Sequence, residues 1–316
     1  MKLITGLLVM CSFSVYIDNA VAKKHDEAAI RTVIASVGTL ADTSNFEALE
    51  KLYTEEVELD YSSLTGGEID ISSSTEIMRQ WASVLPGFDG TYHDINNIQI
   101  SSNGKTATAT ADVAASHWLG AKFWQVTGDY VYRLVKKNKR WLIHSHQFNL
   151  EREAGTRDVL EVATAKAGSH PVSYLKRLKT RLTVRSFLES LESKDMASFA
   201  KLWAADAIQE MPYAPDGFPK QVIGSTNIIE HYSGWPSNSG EADFTSEMVF
   251  YPMQDPEMVF VEFKGEVHIV PTGRHYSQHY GGLFHVQNGK IKLFREYFNP
   301  TPFVYAFGLD ENKSIN

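Results

Sequence analysis

The groups in this chain best suited to chemistry are histidines and carboxylates at strand-like spacing. His144 and His146 alternate along the run 140–150, which puts them on one strand face with Leu142 and Phe148. If that face lines a cavity, His146 either orients a substrate oxygen or joins His93 and His117 around a metal ion. His-x-His alone is a weak metal signal, so no metal is assigned, and surface histidines without a role are the plain alternative. Glu296 shares a strand face with Phe294 and Phe298. It is either a desolvated acid with a raised pKa or an outward partner of Lys292. His275, Ser277 and His279 also alternate together, as pocket groups or as the polar outer face of a sheet. Trp81, Trp118, Trp124 and Trp141 are core residues by type. The first three, with Tyr61, Phe294, Phe298 and His279, are the expected ligand-binding walls.

A repeat positions these residues. The stretch Asp42–Tyr53 matches Glu192–Trp203 in polar and apolar pattern at a shift of 150. The same shift carries Tyr130 onto Tyr280, Asn138 onto Asn288, and Phe148-Asn149 onto Phe298-Asn299. Each unit opens with helices: 27–40, a short second helix and 74–83 in the first, and 174–191 with 225–232 in the second. Strands follow at 57–61, 94–101, 106–117, 124–136 and 140–150. The second copy has them at 207–211, 244–252, 258–270, 274–287 and 290–299. Asn103-Gly104 and Asn288-Gly289 are hairpin turns. Helices followed by a strand meander predict the α+β class, with helices packed on one face of a curved antiparallel sheet.

Composition narrows the options. The chain has 316 residues, 43% of them hydrophobic, with a net charge of −8. That balance argues against nucleic acid as a partner, because neutralising phosphates needs basic residues. Residues 1–22 run from a charge through an apolar stretch to Ala20-Val21-Ala22, the order of a signal peptide. An exported protein, periplasmic or secreted, is therefore expected, with no membrane attachment after cleavage. The single cysteine, Cys11, falls inside that leader and excludes a disulfide framework. Phosphate-loop, dinucleotide, zinc-protease and nucleophile-elbow motifs are all absent. The expected organisation is a leader at 1–22, a first domain at 23–152, a connector at 153–171, a second domain at 172–308 and a tail at 309–316.

The helix order, the motif Asp-x-x-Asn/Asp-Phe after the first helix, Trp141-Leu-Ile and Arg295-Glu-Tyr-Phe-Asn-Pro together resemble the SnoaL-like members of the nuclear transport factor 2-like superfamily. The first unit is similar to the scytalone dehydratase subgroup through Leu85–His93. The second is similar to the ketosteroid isomerase and phenazine-biosynthesis A/B branch through Phe294–Gly308. The resemblance implies two cone-shaped, barrel-like α+β units, each closing on a cavity. It also implies an Asp42–His93 acid–base pair, supported by His117 and His146 and needing no cofactor. Dehydration, isomerisation or cyclisation of a small apolar ring compound would follow. The second unit carries Glu192, Asp243 and Glu296 at the corresponding positions, so the pair is missing there. Glu296 is its candidate acid, because phenazine-type relatives use an acid on this strand. The alternative is a non-catalytic module that binds a hydrophobic ligand or serves assembly. Pairing of such units implies an internal pseudo-dimer or a homodimer.

Overall fold

The computed structural model describes residues 5–309, with side chains described from residue 23. Of the expected leader and tail, residues 1–4 and 310–316 lie outside the described residues, as do the side chains of 5–22. The chain divides into two compact units, Met1–Tyr174 and Leu175–Asn316. Among the described residues no helix is long and apolar enough to cross a membrane.

In the first unit, α1 (Thr5–Asp42) and α2 (Phe46–Glu50) precede β1 (Tyr53–Asp60). Short elements α3 (Ser62–Thr65), β2 (Asp70–Ser73) and α4 (Ser74–Ala82) follow. A 3-10 turn at Leu85–Gly87 then leads into four long strands. These are β3 (Gly90–Ser102), β4 (Thr106–Leu119), β5 (Lys122–Lys137) and β6 (Arg140–Gly155). Last comes α5 (Asp158–Ser169). The sheet order is β2-β1-β6-β5-β4-β3. Every pair is antiparallel except β1 with β6, which brings the first strand back beside the last.

Local chemistry explains these elements. Ile30, Ile34, Val37 and Ala41 recur at helical spacing and are all buried, so one stripe of α1 seals the sheet. Each fully buried Ile contributes about 1.5–3 kcal/mol through its removal from water. Asn45 caps α2 by accepting from the Ala48 N–H at 3.2 Å, and Ser73 caps α4 by accepting from the Glu76 N–H at 3.1 Å. Asn138 and Lys139, both at positive φ, make the tight turn between β5 and β6.

The second unit repeats the plan with α6 (Ser173–Glu192), α7 (Met196–Lys201), β7 (Trp203–Glu210), β8 (Gln221–Ile223) and α8 (Ser225–His231). It continues through α9 (Trp235–Asn238), β9 (Ser239–Asp243), β10 (Met248–Pro252) and β11 (Met258–Ile269). The last elements are β12 (Arg274–Gln287), β13 (Lys290–Tyr297) and α10 (Pro300–Ala306). The sheet order is β10-β11-β12-β13-β7-β8, with β9 also paired to β11. Phe284 stacks on Phe294 at 4.3 Å in the centre of the core.

Three regions differ from the sequence reading or go beyond it, each for a physical reason. Residues 244–252 are not one strand, because the chain turns after β9 before β10 begins, and Glu192 accepts from the amides of Phe244 and Thr245 in that turn. Residues 153–171 finish β6 and then form α5, whose Val159, Ala163 and Ala167 are buried within the first unit. Finally, residues 300–306, to which the sequence reading gave no element, form α10. Asn299 caps it by accepting from the Thr301 N–H at 3.0 Å, and Pro300 opens its first turn.

Candidate functional site

In the first unit, helices and sheet enclose a cavity of about 280 Å³. His93 lines it and is held by Asp42 where α1 ends against β3. The His93 Nδ1 lies 2.6 Å from Asp42 Oδ1, and the two side chains are only 12% and 15% exposed. Asp42 accepts two further bonds, from the His93 N–H at 2.9 Å and the Thr91 hydroxyl at 2.8 Å. Burial pushes the Asp42 carboxyl up, but the hydrogen bonds from His93 and Thr91 and the nearby imidazole outweigh it and hold it below the usual range. His93 is not in a loop before a strand; it pairs with Ala115 inside β3, which fixes its backbone. Gly38 makes the approach possible, since a Cβ there would lie 2.9 Å from the His93 Cβ and carbonyl oxygen.

His117 and His146 line the same cavity and are buried. Burial, reinforced by the charge of His93, pushes His117 down to about 4 and His146 down to about 3, so both are neutral near pH 7. The His117 ring packs 5.5 Å from His93, edge to face. Five aromatic rings, those of Tyr53, Tyr61, Trp81, Tyr130 and Tyr132, surround His146 at 4.4–6.2 Å. The Tyr53 hydroxyl meets His146 Nδ1 at 3.0 Å, while Nε2 and the Tyr132 hydroxyl have no hydrogen-bond partner. Among the described residues no group of three His, Cys, Asp or Glu side chains could hold a metal ion.

Tyr61, Trp81 and Trp124 line this cavity; Trp118 does not. Along β4 His117 points inward, so Trp118 points out and is 43% exposed. His144 also leaves the face assigned to it. A bulge sets Arg133 opposite Ser145 and Leu134 opposite Ile143, so His144 is the extra residue in β6. The bulge resets the alternation: Ile143, His146 and Phe148 face the core, and His144 joins an outer groove with Glu56 and Glu58. Gly38, Thr91, Tyr53 and Tyr130 escaped the sequence reading. Only the repeat, which matches Tyr130 to Tyr280 and Tyr53 to Trp203, signalled any of them.

The second unit encloses a larger cavity, about 410 Å³, lined by Phe294, Glu296 and Phe298. Lys292 is no partner of Glu296. A bulge at Lys292 turns it outward, 2.5 Å from Asp206. Burial pushes the Glu296 carboxyl up to about 7, against a modest lowering by the Gln209 amide. Gln209 itself donates to the Tyr232 hydroxyl at 2.8 Å. His279 is absent from the lining because Tyr276, Gln278 and Tyr280 take the inward positions of β12, which leaves His275, Ser277 and His279 outside. Glu192 caps the turn after β9, so no counterpart of the Asp42–His93 pair exists here.

A curved sheet backed by helices and closed on a largely apolar cavity, made twice, defines an α+β fold with two like units. Models of the SnoaL-like domain match residues 23–147 and, separately, 184–294. The chain belongs to the SnoaL-like family, with two such domains in tandem. It is 35% identical over 126 residues to the uncharacterized protein YesE of Bacillus subtilis, covering 40% of this chain and 85% of that one. An uncharacterized PhzA/B-like protein of Pseudomonas aeruginosa is 29% identical over 121 residues, covering 38% and 84%. Among solved structures, a proposed isomerase from Bacillus subtilis is 33% identical, covers 42% of this chain and 95% of its own, and has a TM-score of 0.40. A phenazine biosynthesis-related protein from Pseudomonas aeruginosa is 22% identical, covers 43% and 89%, and has a TM-score of 0.38.

Proposed function

We propose that the first unit is a cofactor-independent lyase or isomerase acting on a small apolar, oxygenated ring compound. The observation that carries this reading is the Asp42–His93 contact, whose histidine opens on a largely apolar cavity. With Asp42 ionised, His93 donates from Nδ1, which leaves Nε2 as the basic nitrogen. Nε2 takes a proton from carbon beside a carbonyl or hydroxyl-bearing carbon, and Asp42 stabilises the imidazolium that forms. The proton then returns to another ring atom in an isomerisation, or to a departing hydroxyl, released as water, in a dehydration. Neutral His117 and His146 bind substrate oxygens without adding charge, and the aromatic rings hold the apolar body.

The test pairs turnover with binding. Cyclic ketones and hydroxyketones are screened by thermal shift, and hits are assayed with wild type, His93→Ala and Asp42→Asn. Retained binding with turnover lost in both variants supports the proposal. Binding with no turnover in wild type favours the non-catalytic alternative, a carrier of a small hydrophobic molecule.

The leader order of residues 1–22 supports export to the periplasm or medium. Intact mass of the exported protein beginning at Lys23 is the expected result, and an unprocessed Met1 in the cytosol would remove it.

A further inference from the structure

The second cavity is larger than the first and carries a different polar group. Among the described residues Glu296 is its only carboxylate, and neither lysine nor arginine lines it. The groups that share the cavity with Glu296 are neutral. Gln209 of β7 bonds to it, His231 and Tyr232 line the cavity from the end of α8, and Tyr276 and Tyr280 from β12; α6 and α10 supply apolar side chains. Burial keeps His231 below its usual pKa and holds the three phenols well above theirs, so none compensates an ionised carboxylate. An ionised acid with no buried cation is costly unless a ligand brings one. The same cavity is lined by a cage of aromatic rings. Tyr280 meets Phe298 at 6.2 Å, Phe298 meets Phe303 at 6.0 Å, and Phe303 stacks on Phe307 at 4.5 Å. Tyr276 closes the ring at 6.1 Å from Phe303. Ring faces and a lone carboxylate are the two features that recognise organic cations.

We infer that the cavity of the second unit binds an aromatic organic cation, a protonated amine or a quaternary ammonium, with Glu296 as its counter-ion. This assignment is independent of any chemistry in the first unit. On binding a protonated amine, neutral Glu296 gives its proton to solvent and the carboxylate pairs with the ammonium, so charge inside the cavity balances. Carboxyl titration near 7 makes the uptake pH-sensitive in the neutral range.

The test titrates the full chain by calorimetry with naphthylmethylamine and its neutral counterpart naphthylmethanol. Between about pH 6 and about pH 8 the amine stays cationic while Glu296 ionises, so its affinity rises roughly tenfold and the alcohol's does not. Near pH 7, heats measured in two buffers of different ionisation enthalpy show proton release for the amine only. Glu296→Gln, nearly isosteric, costs the amine at least roughly tenfold and leaves the alcohol unchanged. Phe303→Leu lowers the amine-to-alcohol affinity ratio by removing a cage ring. Equal affinity for amine and alcohol overturns the assignment. So does amine binding that weakens as pH rises, or that survives in Glu296→Gln. The wild-type pH series decides even if a variant folds poorly.

Discussion

His146 and Glu296 hold the same position in the two units, 150 residues apart, and burial drives their pKa values in opposite directions, to about 3 and about 7. Each cavity thus favours the uncharged form of its central group. Because one group is a base and the other an acid, the same desolvation gives the two units opposite responses to pH.

The first prediction concerns that response. In the first unit the buried pKa values of His117 and His146, about 4 and about 3, lie below the ordinary 6.5. The unfolded chain therefore binds more protons than the folded unit in this window, so stability falls as pH drops below 6.5. Asp42, lowered from 3.8, adds to the loss at still lower pH. Glu296 is raised from 4.5 to about 7, so its own contribution to the second unit is fully present below 4.5 and is lost as pH rises through 7, while the lowered His231 acts in the opposite direction below 6.5. Moving from pH 7 to pH 5 should cost the first unit roughly 2 kcal/mol per histidine, whereas in the second unit Glu296 returns a similar amount that offsets His231. Hydrogen exchange of peptides from β5 and from β12, corrected for intrinsic rates, reads each unit separately. Parallel changes in both would contradict the account.

Asp42→Asn should reverse the His93 tautomer. The carboxylate only accepts, so Nδ1 must donate to it; an asparagine amide can donate to Nδ1 and drive the proton to Nε2. Nitrogen NMR of the ring would show the exchange, and turnover should fall roughly 10²–10⁴-fold, because the basic nitrogen is then occupied. Unfolding in urea should change by less than about 1 kcal/mol, since the amide oxygen still accepts from the His93 N–H. An unprotonated Nε2 in the variant would mean that Asp42 does not set the tautomer.

Gly38→Ala tests how the pair is positioned. Alanine is normally the better helix residue by about 1 kcal/mol, yet here its methyl would press on the His93 Cβ and carbonyl at 2.9 Å and on Ile95 at 3.2 Å. Helix α1 has to retreat from β3, at a cost of roughly 1–3 kcal/mol, and Asp42 retreats with it. The Asp42–His93 hydrogen bond should weaken visibly in the imidazole N–H resonance. A stabilised variant with that resonance unchanged would show that the close approach is not what seats the pair.

How far the sequence could be read follows from which rules survive folding. The 150-residue shift placed Tyr130 with Tyr280 and His146 with Glu296, and each pair does line its cavity, because a repeat transfers tertiary position directly. Alternation alone could not choose between the two faces of β12, so His279 stood open and proved external. Along β6 alternation failed outright. One bulged residue swaps the face of everything after it, and nothing in Leu142–Ser145 marks the bulge. Contacts made across elements were invisible for a related reason: Gly38 matters only because β3 crosses it, and Thr91 only because α1 ends beside it.

Glu192 gives the last prediction, because it occupies the Asp42 position without a histidine to serve. Its carboxylate ends α6 and accepts from the Phe244 and Thr245 amides and from the Thr245 hydroxyl at 3.2 Å. Asp42 does the same for the His93 amide and the Thr91 hydroxyl. The shared duty of the two acids is thus to tie the end of a helix to a strand or turn that crosses it. In the first unit that anchor also orients an imidazole; in the second it does not. Glu192→Ala should therefore cost the second unit about 1–3 kcal/mol, since two amides lose their charged acceptor. Glu192→Gln should recover most of this, as one oxygen still accepts. Neither change should alter turnover by the first unit, whereas Asp42→Asn should lower it roughly 10²–10⁴-fold. A loss of turnover in Glu192→Gln with both units folded by hydrogen exchange would place the chemistry in the second unit instead.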